Sequence, residues 1–92
     1  MNTKAKGTRN EHRSMMLLEL AGYNCTRSGA SLGAFDVIGI GPTDIALVQV
    51  KSNRWPGEVE MEDLRAFPCP SNCRKLIHRW RDGARQPDVR TL

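Results

Sequence analysis

Phe35-Asp36-Val37-Ile38-Gly39-Ile40 and Ile45-Ala46-Leu47-Val48-Gln49-Val50-Lys51 are the two stretches on which the fold turns. Both are rich in Val and Ile, and Gly41-Pro42-Thr43 joins them. They read as the strands of a hairpin, Ala34 to Ile40 and Asp44 to Lys51. Apolar residues occupy both faces of each strand, which predicts a sheet covered on each side. Taking the loop as Gly41 to Asp44 sets Ile40 opposite Ile45. Antiparallel counting then places Ile38 opposite Leu47 and Asp36 opposite Gln49, and opposed residues share a sheet face. Lys51 lies two residues beyond Gln49 and projects from that face as well. Asp36, Gln49 and Lys51 are therefore expected together at one end of a face otherwise built from Ile38, Ile40, Ile45 and Leu47.

Working outward, Met1 to Gly7 is a polar, basic arm expected to fray. Either Thr8 or Asn10 can cap a helix running to about Ala21, with Glu11 in its first turn and Gly22 as the stop. Met15, Leu18 and Gly22 fall on one helical stripe, and Glu11 sits one turn before Met15 on it. This points a carboxylate along the face that should meet the protein body. Tyr23 to Arg27 reads as a short strand, and Ser28 to Gly33 as a loop of small residues. Downstream, Ser52 to Gly57 is a loop, Glu58 to about Ala66 a short helix, and Pro68 to Asn72 a second loop. Cys73 to Arg81 is a last strand, and residues 83–92 read as an irregular tail. The order α-β-β-β-α-β predicts an α+β fold around a small mixed sheet, with residues 1–92 as a single domain.

At 92 residues the core is thin, and a scaffold of this size gains stability by pairing with itself, so a homodimer is expected. The formal charge of +4 suits a polyanionic partner, and its distribution says more than its total. Arg74, Lys75, Arg79, Arg81, Arg85 and Arg90 face only Asp82 and Asp88 in that stretch. No apolar run approaches the roughly 20 residues of a membrane span. Three cysteines, an odd number, argue against a secreted disulfide framework; reduced thiols and a cytoplasmic location are expected. Zinc held by Cys69, Cys73 and His78 lacks an obvious fourth ligand.

The cluster itself suggests a chemistry. A carboxylate and a side-chain carbonyl, joined by Glu11 from the helix, form a hard oxygen site suited to Mg²⁺ or Mn²⁺. Lys51 beside them can orient or deprotonate water, or offset charge at a phosphoryl transition state. Metal plus lysine is the minimum equipment for hydrolysing a phosphodiester. The plainer alternative is that Asp36 and Lys51 form a cross-strand salt bridge and Glu11 is a solvated helix acid.

Ser28-Gly29-Ala30, Phe35-Asp36-Val37-Ile38-Gly39 and Leu47-Val48-Gln49-Val50-Lys51, in that order, resemble the core of the PD-(D/E)XK nuclease superfamily. The similarity is to its archaeal Holliday junction resolvase-like branch and extends from about Arg9 to Arg54. It implies an α/β/α restriction-endonuclease-like core and a Mg²⁺- or Mn²⁺-dependent endodeoxyribonuclease acting on branched or structured DNA in recombination or repair. By the resemblance Glu11 is the helix acid, Asp36 the central metal-binding residue and Lys51 the catalytic lysine. Gln49 stands where a second acid is usual, as in Mrr-type enzymes, and the Val50 carbonyl joins the metal set. Phe35 replaces the proline of the family name. Ser31 matches a loop serine near the phosphate.

Arg9 and Arg13 on the helix, Arg54 and Trp55 in the loop after Lys51, and Arg79 and Arg81 in the basic strand complete the expected DNA-contacting set. The rival expectation is a module of the same fold that grips nucleic acid or a partner protein without cutting, its chemistry lost at Gln49. Another is a small basic structural protein with scattered surface acids.

Overall fold

The structure, a computed structural model, describes residues 3–28 and 34–92. Elements follow in the order α1 (Thr3–Leu20), β1 (Asn24–Arg27), β2 (Val37–Ile40), β3 (Ile45–Ser52), α2 (Glu58–Ala66), β4 (Cys73–Trp80) and β5 (Asp88–Thr91). The strands form one sheet in the order β1-β2-β3-β4-β5. β1, β2 and β3 make an antiparallel meander, β3 and β4 run parallel, and β5 returns antiparallel along β4. A parallel pair needs a crossover, and α2 supplies it.

The β2–β3 register is the one that a Gly41 to Asp44 loop sets, with Ile40 opposite Ile45 and Ile38 opposite Leu47. Each face of the sheet carries one helix. Under α1 lie Leu18, Val37, Ala46, Val48 and Leu76; under α2 lie Phe35, Leu47, Met61, Leu64 and Ile77. Phe35 is buried and meets Phe67 edge-on, the ring centroids 5.4 Å apart. Phe35 is thus a core residue. The α+β fold expected from the sequence is the fold observed, with a three-layer α/β/α core.

The chain leaves α1 through Gly22 at φ +100, with Tyr23 N–H bonded to Leu18 O and Gly22 N–H to Glu19 O, both at 3.0 Å. Those paired bonds form a Schellman stop, and Tyr23 and Leu18 pack in the same cluster. Just after β2, a Cβ on Gly41 would lie 2.9 Å from Tyr23 Cε1 and 3.0 Å from Asp44 Oδ1. Glycine there lets the Tyr23 hydroxyl reach Asp44 Oδ2 at 2.7 Å.

Several expectations are corrected. α1 begins at Thr3, so residues 3–7 are helical and neither Thr8 nor Asn10 is its cap. Tertiary contacts hold this end: Lys6 pairs with Asp82 at 3.0 Å, and buried Asn10 donates to Ser52 Oγ at 2.8 Å. Short helices are stabilised mainly by such packing. Glu11 accordingly lies mid-helix, not in the first turn. The expected irregular tail contains β5, recruited by the edge of β4.

Cys69 and Cys73 form a disulfide with Cα atoms 5.9 Å apart, in place of the expected free thiols. His78 is on the opposite face of β4 from Cys73, since residues of unlike parity point apart, so these three are not a zinc set. Among the described residues, no helix is long and apolar enough to cross a membrane.

Candidate active site

Asp36 stands one residue before β2, where the meander opens. Its own N–H donates to Val48 O and its carbonyl accepts from Ser28 N–H, each at 2.9 Å. Past that last backbone bond, Val50 N–H donates to Asp36 Oδ2 at 2.9 Å, so the carboxylate takes the place of a backbone acceptor. Burial pushes the Asp36 carboxyl above the ordinary carboxylate range. The Val50 N–H opposes that shift, Glu11 adds to it, Lys51 opposes it and Glu60 adds to it. Two acids and a lysine, drawn from both helices and from β3, therefore act on one carboxylate.

Gln49 and Lys51 project from β3 toward α2, as the period-2 reading requires. Gln49 Nε2 donates to Glu60 Oε2 at 3.0 Å, and Lys51 Nζ lies 3.3 Å from Glu60 Oε1. Gln49 Oε1 is buried and, among the described residues, has no hydrogen-bond partner. Such an orphan costs roughly 1–3 kcal/mol, which a ligand at that oxygen recovers. Glu11 acts on Asp36 through its charge from α1, on the other face of the sheet, and its Oε1 accepts from Arg27 Nε at 2.9 Å.

The donor set fits a hard divalent cation: carboxylates from Asp36 and Glu11 and an unused amide oxygen from Gln49. Among the described residues no three His, Cys, Asp or Glu side chains are gathered so as to hold a metal ion. An oxygen site here therefore depends on the Gln49 carbonyl.

Sequence reasoning missed Glu60. The signal was available, because Glu60 precedes Leu64 by one helical turn and adjoins Met61, and both are buried against the sheet. An acid beside an apolar stripe is the same pattern that drew attention to Glu11.

The expected DNA-contacting residues divide by environment. Arg9 and Arg54 are exposed, and Arg81 is exposed although its Nε lies 3.2 Å from Asp88 Oδ2. Arg13 is built into the protein: it bonds Asn10 Oδ1 at 3.3 Å and the Ala84 carbonyl, and its guanidinium lies 3.9 Å from the Trp80 ring. Trp55 is half-buried with the Arg79 and Arg90 guanidiniums 4.6 and 4.1 Å from its ring. Arg79 also holds Asp88 at 2.6 Å. Ser31 lies outside the described residues.

No family model matches the sequence, and no curated protein matches it. Among solved structures the chain is similar to Hjc of Archaeoglobus fulgidus, a Holliday junction resolvase from an archaeal hyperthermophile. Identity is 21% and the TM-score 0.70, covering 95% of this chain and 71% of that one. At that identity the likeness concerns the fold, and the chain has the α+β fold of that resolvase.

Proposed function

We propose that this protein is a metal-dependent DNA endonuclease of the resolvase-like type, acting on branched or structured DNA. The observation that carries the proposal is the buried amide oxygen of Gln49, without a hydrogen-bond partner among the described residues, on the strand that also carries Lys51 and bonds Asp36 through Val50 N–H. Similarity to a Holliday junction resolvase supports the choice of substrate class. Asp36, Glu11, Gln49 Oε1 and the Val50 carbonyl would hold Mg²⁺ or Mn²⁺. The bound ion would supply charge neutralisation at the scissile phosphate and help to acidify a water.

The chain's own residues do the rest. Lys51 orients the attacking water and offsets negative charge as the phosphorus–oxygen bond breaks. Asp36, held by Val50 N–H, keeps its carboxylate oriented before substrate arrives. Arg9, Arg54 and Arg81 contact phosphates from exposed positions, and Trp55, Arg13 and Arg79 shape the bordering surface. Two copies, acting as a homodimer in the cytoplasm, would give the paired cuts that a junction requires.

The test is nicking of supercoiled plasmid and of a four-way junction with Mn²⁺, Mg²⁺ or EDTA, beside Lys51→Ala. Metal-dependent cutting that Lys51→Ala abolishes, with preference for the junction, is the expected result. Equal cutting by Lys51→Ala would overturn the assignment. DNA binding without any cutting would instead make the protein a non-catalytic binding module.

A further inference from the structure

With an amide at position 49, the strand end is one negative charge short of two acids. Glu60 lies against that amide, from a different element. It rises from the first turn of α2, and its two carboxylate oxygens are used separately, Oε2 by Gln49 Nε2 at 3.0 Å and Oε1 by Lys51 Nζ at 3.3 Å. A carboxylate only accepts hydrogen bonds, so the Gln49 atom facing it must be the amide nitrogen. The amide is planar, and its oxygen is thereby turned away from Glu60, where it is buried and unpartnered. Charge at Glu60 is also felt at Asp36.

We infer that Glu60 is the positioning residue of this site. It fixes the Gln49 amide with Oε1 presented to a divalent cation, steadies Lys51, and returns to the cluster the negative charge that position 49 lacks. Gln49 and Glu60 then form a matched pair, one amide and one carboxylate bridged by a hydrogen bond. Exchanging the two preserves both the bridge and the charge. Making Glu60 neutral alone removes the charge and lets the amide turn. The inference rests on the nuclease reading above, and it names a residue that reading does not need.

The experiment compares the full-length protein with Glu60→Gln and with the double exchange Gln49→Glu/Glu60→Gln. Mn²⁺ affinity is measured by calorimetry, plasmid cutting by gel and folding by thermal unfolding. Glu60 has 39% of its side chain exposed, and its ion pair with Lys51 adds little stability, so folding should persist in Glu60→Gln. Glu60→Gln should weaken Mn²⁺ binding by about tenfold or more, as loss of a supporting partner does. The double exchange should regain most of that loss in both binding and cutting. Wild-type affinity and cutting in Glu60→Gln, or no recovery in the double exchange, would overturn the role of Glu60 while leaving the nuclease reading in place. A wild-type protein that neither binds Mn²⁺ nor cuts DNA would remove that reading, and this inference with it.

Discussion

Val50 N–H donates to Asp36 Oδ2 at 2.9 Å, closing with a side chain a ladder that the backbone leaves open. The carboxylate is thus held in place at the point where β2 and β3 part. It is also held at a cost, because burial and the charges of Glu11 and Glu60 raise its pKa. A raised carboxyl pKa means that the ionised group destabilises the folded state above the ordinary carboxylate range.

Asp36→Asn is therefore expected to separate function from stability. The amide oxygen still accepts from Val50, and the charge that opposes folding is gone. Thermal unfolding should show a melting temperature equal to wild type or higher, while Mn²⁺ no longer raises it and DNA cutting falls to background. Wild-type cutting by this variant would contradict the role given to Asp36.

His78 predicts the pH dependence of stability. It is 4% exposed, its Nδ1 sits 2.9 Å from Ser14 Oγ, and Ser14 Oγ accepts the Trp80 indole N–H at 2.8 Å. Trp80 occupies one acceptor site of Ser14 Oγ, which keeps a proton and a second lone pair for a neutral imidazole of either tautomer. Burial lowers the His78 pKa from 6.5 to about 4. Below pH 6.5 the unfolded chain takes up a proton that the folded one refuses. Stability present above that pH is lost as the pH falls toward 4, by about 3 kcal/mol from this group. Urea unfolding across the range should show the decline, and His78→Leu should flatten it. An equal slope in the variant would assign the decline to other groups.

Gly41→Ala should destabilise the protein although the residue does not sit at positive φ. The added methyl would meet Tyr23 Cε1 at 2.9 Å, and the ring cannot retreat without releasing Asp44. Overpacking of this kind costs about 1–3 kcal/mol. Denaturant unfolding reads the loss, and Tyr23→Leu/Gly41→Ala should recover part of it. A neutral Gly41→Ala would show that the turn yields easily.

Reduction of the Cys69–Cys73 bond should also destabilise the fold. The bridge spans a sequence separation of 4, and closing so short a loop is worth about 2 kcal/mol in chain entropy. That corresponds to a melting temperature lower by about 10 °C in a domain of this size. Thermal unfolding with and without reductant, beside Cys73→Ser, measures it. The variant should melt near the reduced wild type and ignore reductant.

The hairpin was legible because two local signals agreed, the runs rich in Val and Ile and the Gly41–Asp44 turn. The turn then sets which side chains share a face, and the register it sets, Ile38 opposite Leu47 and Ile40 opposite Ile45, is the one observed. α2 was legible to its ends, Glu58 and Ala66, for a similar reason: Gly57 precedes it and Pro68 follows. What failed was set by distant contacts. The start of α1 depends on Lys6 meeting Asp82 and Asn10 meeting Ser52, and no local rule reports those. β5 is four residues, Asp-Val-Arg-Thr, without an apolar rhythm, and it is a strand only because β4 offers an edge. The cysteines pair because the loop between α2 and β4 brings them together, which their count alone did not disclose.

The parallel joining of β3 to β4 has a consequence for when the two faces of the sheet are closed. The first three strands are near neighbours in sequence and can zip together early, and they already carry Asp36, Gln49 and Lys51. α2 already meets β3 through Leu47, Gln49 and Lys51, but its packing is complete only once the chain has doubled back and β4 has brought Ile77 beside Met61 and Leu64, a slower, non-local closure. A chain shortened before β4 would therefore lack Ile77, the fully buried residue that meets Met61 and Leu64 beside Leu47. Completion of the core is deferred to a late topological step, so an unfinished molecule is also one left open on its α2 face.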